Sequence, residues 1–312
     1  MNKPKELKEN STIGIISPSY WLDKKLLKKT SKYFIDLGYN LKLGSSNFLR
    51  FGPFAGTPQD RADDIHNMFK DPTIDAIICA RGGYGANKVL PLLDYDLIKE
   101  NPKIFLGYSD ITAFLISITQ KTDLITFHGP MLSSFNKNFI DYNYHQMLQV
   151  LQVKEEGKIF SSNSLPIKTL KSGSGFGKIW GGNMTLLINR LGTNDTLVTE
   201  DIILFLEDVD EYFYSFERNM IHLYESGMFK KIKGLIIGEL YNFQDQDIPF
   251  GKDTDEIVMD ICGDLDIPII SNFPCGHGKY QCTIPLSLPI ELNATNRNPY
   301  IEILETAVER KN

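Results

Sequence analysis

Ser109 lies in Gly107-Tyr108-Ser109-Asp110-Ile111, between an apolar run and a segment with helical spacing. A sharp strand-to-helix turn here would lift the hydroxyl over the edge of a sheet. The Asp110 N–H would then sit at a helix N-terminus, where the dipole favours negative charge. That is the logic of a nucleophile elbow, although Ile111 replaces the second glycine of G-x-S-x-G. The competing use of Ser109 is as an ordinary helix cap.

A second strand-to-helix junction carries Arg81-Gly82-Gly83-Tyr84-Gly85. A dinucleotide fingerprint fails, because Ala86, Asn87 and Lys88 follow without the third glycine. A Walker loop fails for want of Gly-Lys-Ser/Thr. Two readings remain: a tight turn, or bare backbone N–H groups aimed at a reacting oxygen at the carboxyl end of a strand.

A serine nucleophile needs a base, and there are five histidines. His66 and His222 fall in helical patterns, and His145 in a polar aromatic segment. His128, in Thr126-Phe-His-Gly-Pro130, follows an apolar run and could line a pocket. His277 stands between Gly276 and Gly278 just past a predicted strand, which suits a base that must reach across a site. A carboxylate must orient the imidazole and stabilise its cation. The run 202–206 ends in Glu207-Asp-Val-Asp-Glu211, so Glu207 is the first choice and Glu211 the second.

The elements that would position these groups alternate. Strands are predicted at 13–16, 40–43, 74–80 and 103–106, and helices at 26–37 (closed by Gly38) and from a Thr57-Pro58 cap. Ile111, Phe114, Leu115 and Ile118 mark another helix face. This is an α/β pattern with a mostly parallel sheet. Residues before Ile13 read as a loose tail. The Gly/Ser-rich stretch after Glu155 reads as a crossover, giving domains at 1–160 and 179–312 joined by 161–178. Beyond it, strands are expected at 202–206, 235–240 and 267–270, with helices at 213–224 and from a Thr254 cap to Leu265.

The chain has 312 residues and a net charge of −6, with 42% hydrophobic and 23% charged residues. That is ordinary globular composition and carries no basic stripe, so no nucleic-acid partner is expected. No apolar run is long enough for a membrane helix, and no signal peptide is evident. Cys79, Cys262, Cys275 and Cys282 lack metal-ligand spacing. They read as buried, reduced thiols in a cytoplasmic protein with no metal and no cofactor.

Together these stretches resemble the LD-carboxypeptidase family of serine peptidases, which includes the microcin C immunity peptidases. The resemblance runs in order through 13–19, 80–85, 107–112, 127–130, 181–183, 206–208 and 276–278. It implies a Ser109-Glu207-His277 triad and an oxyanion hole from the backbone N–H groups of Gly83 and Asp110. It also implies a flavodoxin-like N-terminal domain bearing the serine, a smaller β-rich α/β C-terminal domain bearing Glu207 and His277, a site between the domains, and a homodimer. The implied reaction releases terminal D-alanine from murein tetrapeptide, across an L,D-bond. The alternative within the family is cleavage of an aminoacyl-nucleotide amide, with Trp180 stacking on the planar group unless it is core. Arg81, His128 and Asn183 are further candidates for holding substrate. Two rivals stand outside this reading: a non-catalytic binding protein on the same scaffold, and an α/β-hydrolase esterase.

Overall fold

Apolar runs too short for helices and bounded by glycine or proline become strands, and the amphipathic segments between them become crossover helices. A computed structural model describes residues 1–136, 139–153, 158–160 and 167–311. In chain order the first elements are β1 (Thr12–Ile16), α1 (Lys24–Asp36), β2 (Asn40–Leu43), α2 (Pro58–Lys70), β3 (Ala76–Cys79), α3 (Ala86–Val89) and α4 (Tyr95–Glu100). There follow β4 (Ile104–Gly107), α5 (Thr112–Thr122), β5 (Phe127–His128) and α6 (Asp141–Leu151). Next come β6 (Lys158–Phe160), β7 (Lys168–Lys171), β8 (Gly173–Asn183), α7 (Met184–Arg190), β9 (Ile202–Val209), α8 (Phe213–Glu225) and β10 (Gly234–Tyr241). The last are α9 (Thr254–Cys262), β11 (Ile269–Ser271), β12 (Ile284–Pro285), β13 (Pro289–Ala294) and β14 (Tyr300–Ile303).

Two units result. The first comprises residues 1–155, 282–286 and 306–312; the second comprises 156–281 and 287–305. The first unit is built on a six-stranded sheet of order β12-β5-β4-β3-β1-β2, parallel except for the antiparallel β12. Its parallel part has the flavodoxin-like order 2-1-3-4-5, in which ligands bind at the β1/β3 switch point. β3 and β4 are buried at every position, as strands covered on both faces must be. Thr57 and Asp60 form a reciprocal capping box at the start of α2. Gly38 closes α1 with φ +91°.

The second unit has an eight-stranded sheet of order β6-β14-β13-β8-β9-β10-β11-β7. β8 to β11 run parallel, and antiparallel strands flank them. The architecture is the expected α/β one, with a flavodoxin-like first unit and a β-rich second.

Several local expectations are corrected. The Gly/Ser-rich stretch is not a crossover where it is described: 168–171 and 173–183 are strands, while 154–157 and 161–166 lie outside the described residues. Its glycines serve close packing. A Cβ on Gly175 would lie 2.1 Å from the Lys233 carbonyl oxygen, and one on Gly181 would lie 1.8 Å from that of Phe205. The N-terminal residues are no loose tail. Leu7 is fully buried, and Glu6 N donates to Glu309 O at 2.8 Å. The cap of α9 is Asp253, whose carboxylate accepts from Glu256 N at 2.9 Å, and the helix ends at Cys262. Asp accepts the first-turn N–H one residue before Thr254, and Glu256 answers to the Asp253 N–H. Pro268, which lacks an N–H, delays β11 to Ile269.

Gly181 sits at φ +145° in register with Phe205. Gly181→Ala therefore forces a carbonyl out of the β8–β9 ladder, and an expected loss of roughly 3 kcal/mol follows. Urea denaturation followed by tryptophan fluorescence measures it; an unchanged midpoint contradicts the account.

Candidate functional site

In the first unit the loops after β1, β3 and β4 converge at the carboxyl edge of the sheet. β4 ends at Gly107, where a Cβ would lie 2.8 Å from Ile111 Cγ2, so the chain turns abruptly. Ser109 then takes φ +64°, a left-handed conformation that costs a non-glycine residue about 1 kcal/mol or more. Gly82 closes on it: a Cβ there would lie 3.0 Å from Ser109 Oγ and 3.4 Å from Asp110 N. Gly83 follows at φ +115°, with the Tyr20 ring filling the space a side chain would need. Ser109, Asp110 and the glycine loop are thus brought together, as the sequence suggested.

What the sequence did not disclose is the network beneath them. The Asp110 carboxylate is buried; it accepts from Ser19 Oγ at 2.5 Å and Ala86 N at 3.0 Å. Burial holds its pKa above the usual carboxylate range, against the pull of those hydrogen bonds and of Arg61. Arg61 is only 1% exposed and donates Nη1 to Pro18 O at 2.8 Å and Gly85 O at 3.1 Å. One guanidinium therefore ties the loop after β1 to the loop after β3. Its signal was a cation on the apolar face of α2, four residues before Ile65.

Arg81 stands over the Tyr20 ring at 5.7 Å and makes no ion pair among the described residues. His128 is 1% exposed on β5, edge-on to the Tyr108 ring at 6.1 Å. It reads as part of the first unit's interior.

In the second unit β9 delivers Glu207 at its carboxyl end, fully buried. The loop after β11 returns to β10: Glu239 N donates to Cys275 O at 2.8 Å, and Glu239 bridges to Gly276. This return presents His277, whose Nδ1–H meets Glu207 Oε2 at 2.8 Å. The carboxylate fixes the proton on Nδ1 and leaves Nε2 as the basic nitrogen. Burial pulls the His277 pKa down, but the charge and hydrogen bond of Glu207, with Asp208 and Asp210, outweigh it and leave the value raised. Glu211 lies beyond the end of β9, with its carbonyl taking the Gln244 N–H at 2.9 Å.

Asn183 caps α7 and donates to Asp208 Oδ1 at 2.9 Å. Burial and the Glu207 charge push Asp208 up to about 6. Trp180 is 9% exposed within β8, in register with Leu204, as a core residue would be. Among the described residues no group of His, Cys, Asp or Glu could hold a metal ion, and no helix is long and apolar enough to cross a membrane.

Comparison with known proteins follows the same division. Residues 13–129 match the model of the LD-carboxypeptidase N-terminal domain, and 176–292 that of the C-terminal domain. A probable murein peptide carboxypeptidase of Bacillus subtilis is 31% identical over 301 residues, covering 96% of this chain and 94% of the relative. The microcin C7 self-immunity protein MccF of Escherichia coli is 30% identical over 286 residues, 82% of this chain and 80% of MccF. A MccF structure with aspartyl sulfamoyl adenosine superposes with a TM-score of 0.90 at 27% identity, covering 99% of this chain and all of MccF. A muramoyltetrapeptide carboxypeptidase structure from Oxalobacter formigenes gives 0.85 at 26% identity, covering 95% of this chain and 99% of that one. With both domain models matched in order and a relative aligned along almost its whole length, this chain belongs to the LD-carboxypeptidase family.

Proposed function

We propose that the protein is a serine carboxypeptidase that cleaves the L,D-amide of a murein tetrapeptide and releases D-alanine. The observation that carries this reading is Ser109 held at φ +64° against Gly82, at the mouth of a glycine loop. In this reading His277 Nε2 takes the Ser109 proton as Oγ attacks the amide carbonyl, while Glu207 stabilises the imidazolium. The N–H groups of Gly83 and Asp110 receive the oxyanion; one such donor is typically worth roughly 2.7–4 kcal/mol in the transition state. His277 then protonates the leaving amine, and water hydrolyses the acyl-enzyme. The reaction requires the serine hydroxyl and the imidazole to meet in the catalytic state.

The departing residue bears a free carboxylate. Arg81, a cation without an ion-pair partner among the described residues and one residue from Gly82, is suited to grip it. Arg81→Gln is expected to raise KM roughly 10- to 100-fold, with a smaller effect on kcat. Steady-state kinetics on the tetrapeptide measure this, and an unchanged KM removes Arg81 from the site.

A second reading is an immunity-type peptidase, favoured by the likeness to MccF with a bound aminoacyl sulfamoyl nucleotide. Trp180, buried in β8, offers that reading little support. Incubating the protein in parallel with murein tetrapeptide and aspartyl sulfamoyl adenosine separates the two. Release of D-alanine alone supports the first, cleavage of the nucleotide conjugate alone supports the second, and no turnover of either removes both. The four buried, unbridged thiols suit a reducing cytoplasm, and the family resemblance adds a homodimer to this reading.

A further inference from the structure

The two glycines beside His277 each make room for a carboxylate. A Cβ on Gly276 would lie 3.1 Å from Glu207 Oε2. A Cβ on Gly278 would lie 1.8 Å from each of the three carboxylate atoms of Glu239. Glu239 stands near the end of β10, as Glu207 stands near the end of the adjacent β9. Its backbone is already bound to the histidine loop through Cys275 O and the bridge to Gly276. Gly238 permits that approach, since a Cβ there would lie 2.7 Å from Cys275 O. Gln281 Nε2 closes the loop from the other side, donating to Gly276 O at 2.8 Å. Glu207 engages Nδ1 directly, whereas no hydrogen bond or ion pair engages the Glu239 carboxylate among the described residues.

We propose that Glu239 is a second carboxylate partner of His277, a positioning residue that acts through the imidazole by holding its loop and stabilising its protonated form through space. This rests on the reading of His277 as the general base. The two charges feel each other: burial raises the Glu239 pKa, the His277 charge draws it back, and Glu207 adds to the rise. Within this unit the other groups facing His277 are Glu207, Asp208 and Asp210 of β9. β11 contributes no titratable residue. Lys279, on the histidine's own loop, lies over the Tyr280 ring at 5.4 Å. Glu207, Asp208 and Asp210 remain in a Glu239 variant, so its effect reads one carboxylate alone.

Two independent variants test this on the full chain. Glu239→Gln removes the charge and keeps the shape. Gly278→Ala keeps the charge but drives the carboxylate off the loop, because the side-chain end of Glu239 is what the new methyl meets. NMR titration of the His277 ring is expected to show its pKa lower by roughly one unit in each variant. The double variant is expected to shift no further than either single one. In turnover of the tetrapeptide, the acid limb of kcat/KM moves to lower pH by the same amount, since the base stays neutral further into acid. A His277 titration unmoved in both variants overturns the proposal, whatever the activity. A shifted titration in a protein that turns over neither substrate supports the Glu239–His277 pairing and overturns the peptidase reading instead.

Discussion

Replacing Ser109 with alanine is expected to lower kcat by on the order of a million-fold, the loss typical when a triad nucleophile is deleted. The residual rate expected is what the proposed oxyanion donors and substrate binding supply, since the substitution leaves both in place. Stability should change little, because Ser109 is only half-buried and its left-handed backbone angle is imposed by Gly107, Ile111 and Gly82 rather than by its hydroxyl. Single-turnover assays on the tetrapeptide, with circular dichroism to verify the fold, measure both. A folded Ser109→Ala protein retaining more than a tenth of the activity excludes the serine mechanism.

Glu207→Gln carries the second largest expected effect. The carboxylate is fully buried, so no water can replace it, and its Oε2 holds the His277 Nδ1–H at 2.8 Å. An amide in its place can present NH2 to the ring and select the tautomer with its proton on Nε2, which cannot accept from serine. It also removes the charge that stabilises the imidazolium. A fall in kcat of about 10⁴-fold with nearly constant KM is expected. The direction of the pH effect follows from His277, whose pKa is raised in the folded protein by Glu207 against the opposing effect of burial. Without that charge the imidazole loses its proton more readily, so the residual activity rises with pH through a lower midpoint. A Glu207→Gln enzyme within tenfold of the parent removes Glu207 from the proposed triad.

Much of this arrangement could be read from the residues. Ser109 and the glycine loop announced themselves through punctuation, since buried runs ending in glycine and passing straight into helical spacing leave few other geometries. Glu207 was distinguishable from Glu211 by nearness to a strand end, and the hydrogen bond to His277 goes to Glu207. Composition misled where glycine served packing rather than flexibility. Gly175, Gly177 and Gly181 lie where neighbouring carbonyls leave no room for a side chain, and sequence spacing does not report neighbours brought in from other strands. Glu239 and Arg61 escaped for the same reason. Their contacts are with loops more than twenty residues away, the Gly278 loop for one and Pro18 with Gly85 for the other. The N-terminal residues read as a loose tail because their partners, Glu309 and Lys311, lie some three hundred positions away in sequence.

That last pairing bears on biosynthesis. The first unit takes β12 against β5, and 306–312 beside its N-terminal residues, from beyond the second unit's main segment. While the ribosome is still making residues 156–281, β5 is paired with β4 alone and its outer edge lies open, the kind of template that recruits strands from other chains. The nascent first unit must therefore wait for 282–286 before that border is covered. A fragment halted near residue 160 would keep the serine and the glycine loop yet expose that border permanently.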